Sequence, residues 1–258
     1  MNHYNEICYK KKVLKQVIVR LDFINYIEKE ILISEKIRTV IMNYFPQQGL
    51  PQLVRFGQID LSQLSSNDKV DNEYMEGYQY TYLDNQNNKL IISNKFIIFE
   101  INEYDTFQKL NNIFSSIIME LFNEKKMLYV QRIGIRFLNI FDEKSVKAAK
   151  IYFEKSVASI IEPNFPPTIN NLVIKRKLCQ IEYQFRDIYL NFRYGYYNPN
   201  YPQLLYANSF ALDFDCFKME MINSAQESIN FLNEGHDYIQ LLFEKNITDE
   251  LRKVLQNG

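Results

Sequence analysis

The chain has no tryptophan, two histidines, three cysteines and seven glycines among its 258 residues. Each scarcity closes off a class of chemistry. Phosphate cradles and dinucleotide-binding turns need glycine where the backbone approaches a ligand or takes positive φ, and this chain has almost none to supply. Cys8, Cys179 and Cys216 are odd in number, far apart and without C-x-x-C spacing. They support neither a disulfide framework nor a zinc knuckle and fit a reducing cytoplasm. His3 and His236 form no H-x-x-x-H or H-E-x-x-H pattern, so no metal site built on histidine and no cofactor is expected. No run is long enough to cross a bilayer, and the N-terminus lacks the basic-then-apolar pattern of a signal peptide. A soluble protein without a membrane partner is the expectation. Thirty basic against thirty-one acidic side chains leave a net charge of −1, which gives no global attraction to a polyanion but leaves room for a local basic patch.

What is present suffices for a full core: 47% of residues are apolar, enough at this length for one large domain or two smaller halves. Residues 13–23 alternate Val17, Val19, Leu21 and Phe23 with Gln16, Arg20 and Asp22, the pattern of a strand buried on one side. After Ser34, an N-cap residue, Ile37, Val40, Ile41, Tyr44 and Phe45 recur at helical spacing up to Pro46. A strand around 54–61 and three runs at 78–83, 89–92 and 96–104, separated by turn residues, read as an antiparallel meander. Phe107, Leu110, Ile113, Phe114, Ile117, Ile118, Leu121 and Phe122 form the strongest amphipathic helix. A strand at 128–140 follows, then a helix at 143–161 that ends in the proline-rich stretch Pro163 to Pro167.

Three more strands are expected at 172–185, 188–196 and 210–222, with Arg186-Asp187 as a tight turn. A closing helix begins after Ser224, and a last short one is capped by Thr248. The connections between consecutive strands are too short for crossover helices, which excludes a doubly wound sheet. The expected class is α+β: two β-rich antiparallel halves, each packed against a long amphipathic helix, 1–142 and 143–258. The boundary falls near 143–168, and one compact domain fits equally well. No residue-level repeat links the halves.

Several segments occur in an order that resembles a family. They are Val17 to Phe23, the helix ending Tyr44-Phe45-Pro46, Gln131-Arg132-Ile133-Gly134-Ile135-Arg136-Phe137-Leu138-Asn139, Phe210 to Asp215, and the closing helix with Gly235-His236-Asp237 and Ile239 through Phe243-Glu244 to Ile247-Thr248. Across nearly the whole chain this resembles a sporadically distributed family of bacterial and archaeal proteins with no established activity. Where that family carries an Asn-x-Pro-like lead before the first strand, this chain has Lys10-Lys11-Lys12. The resemblance implies boundaries and class rather than mechanism. The family's patchy distribution implies an accessory part in a bacterial defence or toxin–antitoxin-like locus.

Four groups of residues invite a functional reading. Arg132 and Arg136, with Asn139 facing them, form a candidate anion-binding face, the alternative being ion pairs to a neighbouring strand. Lys175, Arg176 and Lys177, with Arg193, Tyr194, Tyr196 and Tyr197, interleave bases and aromatics on one hairpin. That hairpin suits either stacking of single-stranded nucleic acid or a tyrosine-rich protein contact. Asp213 and Asp215 project from one strand face as a carboxylate pair for a cation would, or as partners for the arginines. His236 lies on the apolar stripe of the last long helix, a candidate acid–base group or a satisfied buried histidine. With no nucleophile near it in spacing, the expectation is a non-enzymatic binding or assembly protein. Its expected partner is another protein or a second copy; nucleic-acid binding and a nuclease built on Asp213, Asp215 and His236 are the alternatives.

Overall fold

The computed structural model describes residues 7–32, 34–57, 74–142, 147–161, 177–198 and 209–257. Ten strands form one wholly antiparallel sheet. In chain order they are β1 (Leu14–Phe23), β2 (Gln47–Gln48), β3 (Gln52–Gly57), β4 (Tyr74–Leu83), β5 (Lys89–Ser93), β6 (Phe96–Ile101), β7 (Val130–Phe141), β8 (Lys177–Phe185), β9 (Ile188–Tyr197) and β10 (Ser209–Lys218). The described helices are α1 (Lys29–Leu32), α2 (Glu35–Met42), α3 (Phe107–Glu124), α4 (Ala149–Tyr152), α5 (Lys155–Ile161), α6 (Ala225–Asn246) and α7 (Asp249–Asn257).

Across the sheet the strands run β2-β4-β5-β6-β1-β7-β10-β9-β8, with β3 sharing the outer edge of β4. The seam is the antiparallel β1·β7 pair, in which Val17 lies opposite Phe137 and Val19 opposite Ile135. Outward from it the first half runs β1-β6-β5-β4 and the second β7-β10-β9-β8. Apart from β2, β3 and α7, each half is therefore a strand, short helices, three consecutive antiparallel strands and a long helix. The two halves share this order and meet in one sheet, so the core continues across residue 143.

Period-two alternation decides which face each strand buries. Val17, Val19, Leu21 and Phe23 on β1, Ile133, Ile135 and Phe137 on β7, and Phe210, Leu212, Phe214 and Cys216 on β10 are all buried. The helices lie on that face. Phe114 of α3 meets Phe99 of β6 with ring centroids 5.4 Å apart, Phe243 of α6 meets Phe214 of β10, and Phe153 sits between Phe141 and Phe210. The long helices touch each other through Asn111 and Asn233, whose side chains are hydrogen-bonded at 3.2 Å. Gly235 lets α6 approach closely, since a Cβ there would stand 2.9 Å from Ile135 Cγ2.

The expected cap at Ser34 is present, and Thr106 and Ser224 cap α3 and α6 in the same way, each hydroxyl accepting from the backbone N–H three residues on. Thr248 does the same for Leu251 at 3.4 Å. Of the single helix expected over 143–161, residues 143–146 lie outside the described residues and 149–161 carry two short helices, α4 and α5, in its place. Phe153 is extended, pairs with Ile247 as an isolated bridge, and Thr248 N donates to Tyr152 O. The aromatic ring is drawn into the core between two strands, and that tertiary contact outweighs helix propensity at one residue. The strand expected at 172–185 is described from Lys177, and the third of that set ends at Lys218, with Ile222 bridging back to Val130. Of the strand expected at 54–61, residues 54–57 belong to β3 and the rest lie outside the described residues. Among the described residues no helix is long and apolar enough to cross a membrane.

Candidate functional site

Residues directly opposite in antiparallel register share a face, so the pairing places Arg20, Asp22, Arg132, Arg136, Asp213, Asp215 and Arg193 together on the face away from the helices. Among the described residues no helix lies against that face. These seven side chains form one chain of alternating charge across four strands. Arg20 donates to Asp22 from Nε at 2.8 Å and Nη2 at 2.6 Å. Asp22 lies 3.9 Å from Arg132, and Arg132 lies 3.8 Å from Asp215. Arg193 reaches Asp215 at 3.6 Å and Asp213 at 3.1 Å. Asp213 closes the chain by accepting two hydrogen bonds from Arg136, at 2.7 and 2.8 Å.

Local backbone makes this possible. Gly134 lies between Arg132 and Arg136 on the same face, and a Cβ there would sit 3.3 Å from Phe217 Cβ and 3.4 Å from Arg132 Nη1. Its bare backbone gives the Arg132 guanidinium room to lie over the Phe217 ring, 4.9 Å from the centroid. Phe217 in turn stacks on Tyr189, and Arg20 lies 5.0 Å from the Phe96 ring centre. Burial raises the pKa of the Asp215 carboxyl, against the pull of Arg132, Arg193 and Arg136. The hydrogen bond to Asp213 raises that of Arg136.

The anion-binding and cation-binding readings are both changed by this geometry. Arg132 and Arg136 hold aspartates of the chain itself, and Asp213 and Asp215 are ringed by guanidiniums that would repel a cation. Asn139 does not face the arginines. It stands one residue out of phase on β7, buried on the helix side, where its Nδ2 donates to Leu212 O at 3.3 Å. His236 is also on the helix side, buried, stacked on Phe107 at 3.8 Å and 5.9 Å from Phe137. The sheet separates it from Asp213 and Asp215. The three residues considered for a nuclease are not brought together.

The hairpin β8–β9 is not a single basic and aromatic platform, because its neighbouring residues alternate between faces. Tyr194 is buried on the helix side and its phenol is pushed up to about 12, chiefly by desolvation, while Tyr196 is half-buried on the same side. Arg193 is on the other face and is held by Gln180 and the two aspartates. Tyr197 is half-buried opposite Ser209, and Lys177 begins β8 opposite Tyr196. Lys175 and Arg176 lie outside the described residues. The outer strand β8 instead exposes Leu178, Tyr183 and Phe185.

Sequence reasoning missed Arg20 and Asp22 as members of the site. Their signal was present as Arg-x-Asp on a strand whose other face is wholly apolar, but the register that brings β1 beside β7 is a long-range fact. No protein-family model and no curated protein matches this chain.

Proposed function

We propose that the chain is a non-enzymatic binding or assembly protein that engages another protein, or a second copy of itself, through the helix-free face of its sheet. The observation that carries this reading is the seven-residue chain of alternating charge on a face against which, among the described residues, no helix lies. Replacing partly buried ion pairs by packed apolar residues is often neutral or stabilising, so a lattice spanning four strands is poorly explained as a stabilising device alone. The composition fits an interface centre. Arginines and the rings of Phe96, Phe217 and Tyr189 stand beside half-buried Ile18, Ile98 and Leu138, and such centres are enriched in Arg and aromatics. Side chains already held in place lose less freedom when a partner arrives.

The accessory role in a bacterial defence or toxin–antitoxin-like locus that the family resemblance implies belongs to the same proposal and predicts a partner encoded alongside. Light scattering of the purified chain, with affinity capture using wild type and the double variant Arg20→Glu, Leu138→Glu, tests it. Self-association or a captured protein lost in the double variant is expected. A monomer that captures nothing, or salt-sensitive binding of single-stranded oligonucleotides in its place, would contradict it.

A further inference from the structure

The helix side of the sheet holds a second feature, distinct from the face just described. A cavity of about 130 Å³ opens between residues 7–14, the α6 helix and β7. Its walls are aromatic, with Tyr9, Tyr104, Phe137, Phe243 and His236 all on its lining together with Asn139. The rings brace one another: Tyr104 meets Phe137 edge-on at 5.5 Å and Tyr9 lies 6.2 Å from Phe243. Volume bounds the ligand. An apolar cavity of about 150 Å³ accommodates benzene, so this slightly smaller one, open at its mouth, takes no more than a single ring.

Charge bounds it further. The lining carries Lys11 and Lys12 against Asp105 and Glu244, two of each sign. Every one has an ion-pair partner in the chain, at 3.8, 3.7, 3.6 and 2.8 Å respectively. No charge is left over for an ionic ligand. Asn139 supplies the polar contact. It is 5% exposed, its Nδ2 is occupied by Leu212 O, and its Oδ1 accepts no hydrogen bond from a described residue. That oxygen is not sealed from solvent, and on the cavity lining it stands accessible to accept a hydrogen bond from a ligand.

We infer that this cavity binds a neutral molecule with one aromatic ring carrying a hydroxyl or amine hydrogen, the ring among Tyr9, Tyr104, Phe137 and Phe243 and the donor on Asn139 Oδ1. Phenol and toluene have nearly the same shape and differ in that donor, so they are the probes, with benzoate as the charged control. Calorimetric titration of the full chain is expected to show saturable phenol binding, toluene weaker by about three- to tenfold for one lost hydrogen bond, and no benzoate binding. Asn139→Leu should erase the preference for phenol over toluene. Should that variant not fold, nitrogen-edited NMR of the wild type decides the matter, with phenol shifting the Asn139 side-chain amide and the backbone around His236. Absence of saturable phenol binding, equal or tighter toluene binding, or shifts confined to other parts of the chain would overturn the inference.

Discussion

Arg136 on β7 and Asp213 on β10 are joined by two parallel hydrogen bonds of 2.7 and 2.8 Å, although the residue opposite Arg136 in register is Asp215 and the residue opposite Asp213 is Leu138. The pair is diagonal. That offset leaves Asp215 to Arg132 and Arg193, and so lets three arginines from two strands share two aspartates of the strand between them.

Asp213→Asn should therefore be costly. The carboxylate is buried, and its loss leaves Arg136 and Arg193 without their shared anion. Breaking a buried pair costs about 3–5 kcal/mol, and since Arg136 is 37% exposed solvent reduces this to about 2 kcal/mol. Urea denaturation measures it. Arg136→Lys, which keeps the charge and loses the fork, should cost about 1 kcal/mol.

Gly195→Ala should be more damaging than any exposed substitution on the hairpin. Gly195 has φ +149°, and a Cβ there would overlap the Lys177 carbonyl oxygen and lie 2.9 Å from its carbon. Strand β8 must move or the backbone must strain, at about 2–4 kcal/mol. A thermal melt that falls by only a degree or two would show that β8 yields freely.

Alkaline unfolding should be governed in part by one buried and one half-buried phenol. Tyr194 and Tyr238 are each pushed up to about 12, mainly by burial. Their folded values exceed the ordinary 10, so the stability they contribute is complete below pH 10 and is lost as pH rises towards 12. Ultraviolet titration should show tyrosines ionising together with unfolding in that window. Tyr194→Phe should flatten the dependence.

The acid side should report the turn between β8 and β9. Lys218 holds the Asp187 carboxyl below its ordinary 3.8, chiefly by hydrogen bonding. The contribution is therefore present above that value and lost as pH falls through the depressed one. Stability measured from pH 5 down to about pH 2 should drop more in wild type than in Asp187→Asn.

Much of the fold is legible in the chain because its signals are local. The alternation at Val17 to Phe23, the stripe from Phe107 to Phe122 and the caps at Ser34 and Thr248 each act within a few residues. The break at Phe153 is not legible, since it depends on Phe141, Phe210 and Ile247, all distant in sequence. The site divides in the same way. The shared face of Asp213 and Asp215, and their pairing with arginines, follow from period two and opposite charge. The inclusion of Arg20 and Asp22 follows from register across the seam, whereas Asn139, three residues after Arg136 on one strand, falls on the opposite face by period two alone. The hairpin fails as one platform for a local reason. Arg193 and Tyr194 are adjacent, so a strand must send them to opposite faces.

That the helix-free sheet face is a protein interface is tested most directly by site-specific photocrosslinking. A benzoylphenylalanine at Leu138 or Ile18 samples that face, and one at Met119, exposed on α3, serves as the control. Covalent adducts, with a second copy or with a discrete partner from the source cells, are expected at Leu138 and Ile18 and none at Met119. Adducts at Met119 in the absence of any at the two sheet positions would contradict the assignment.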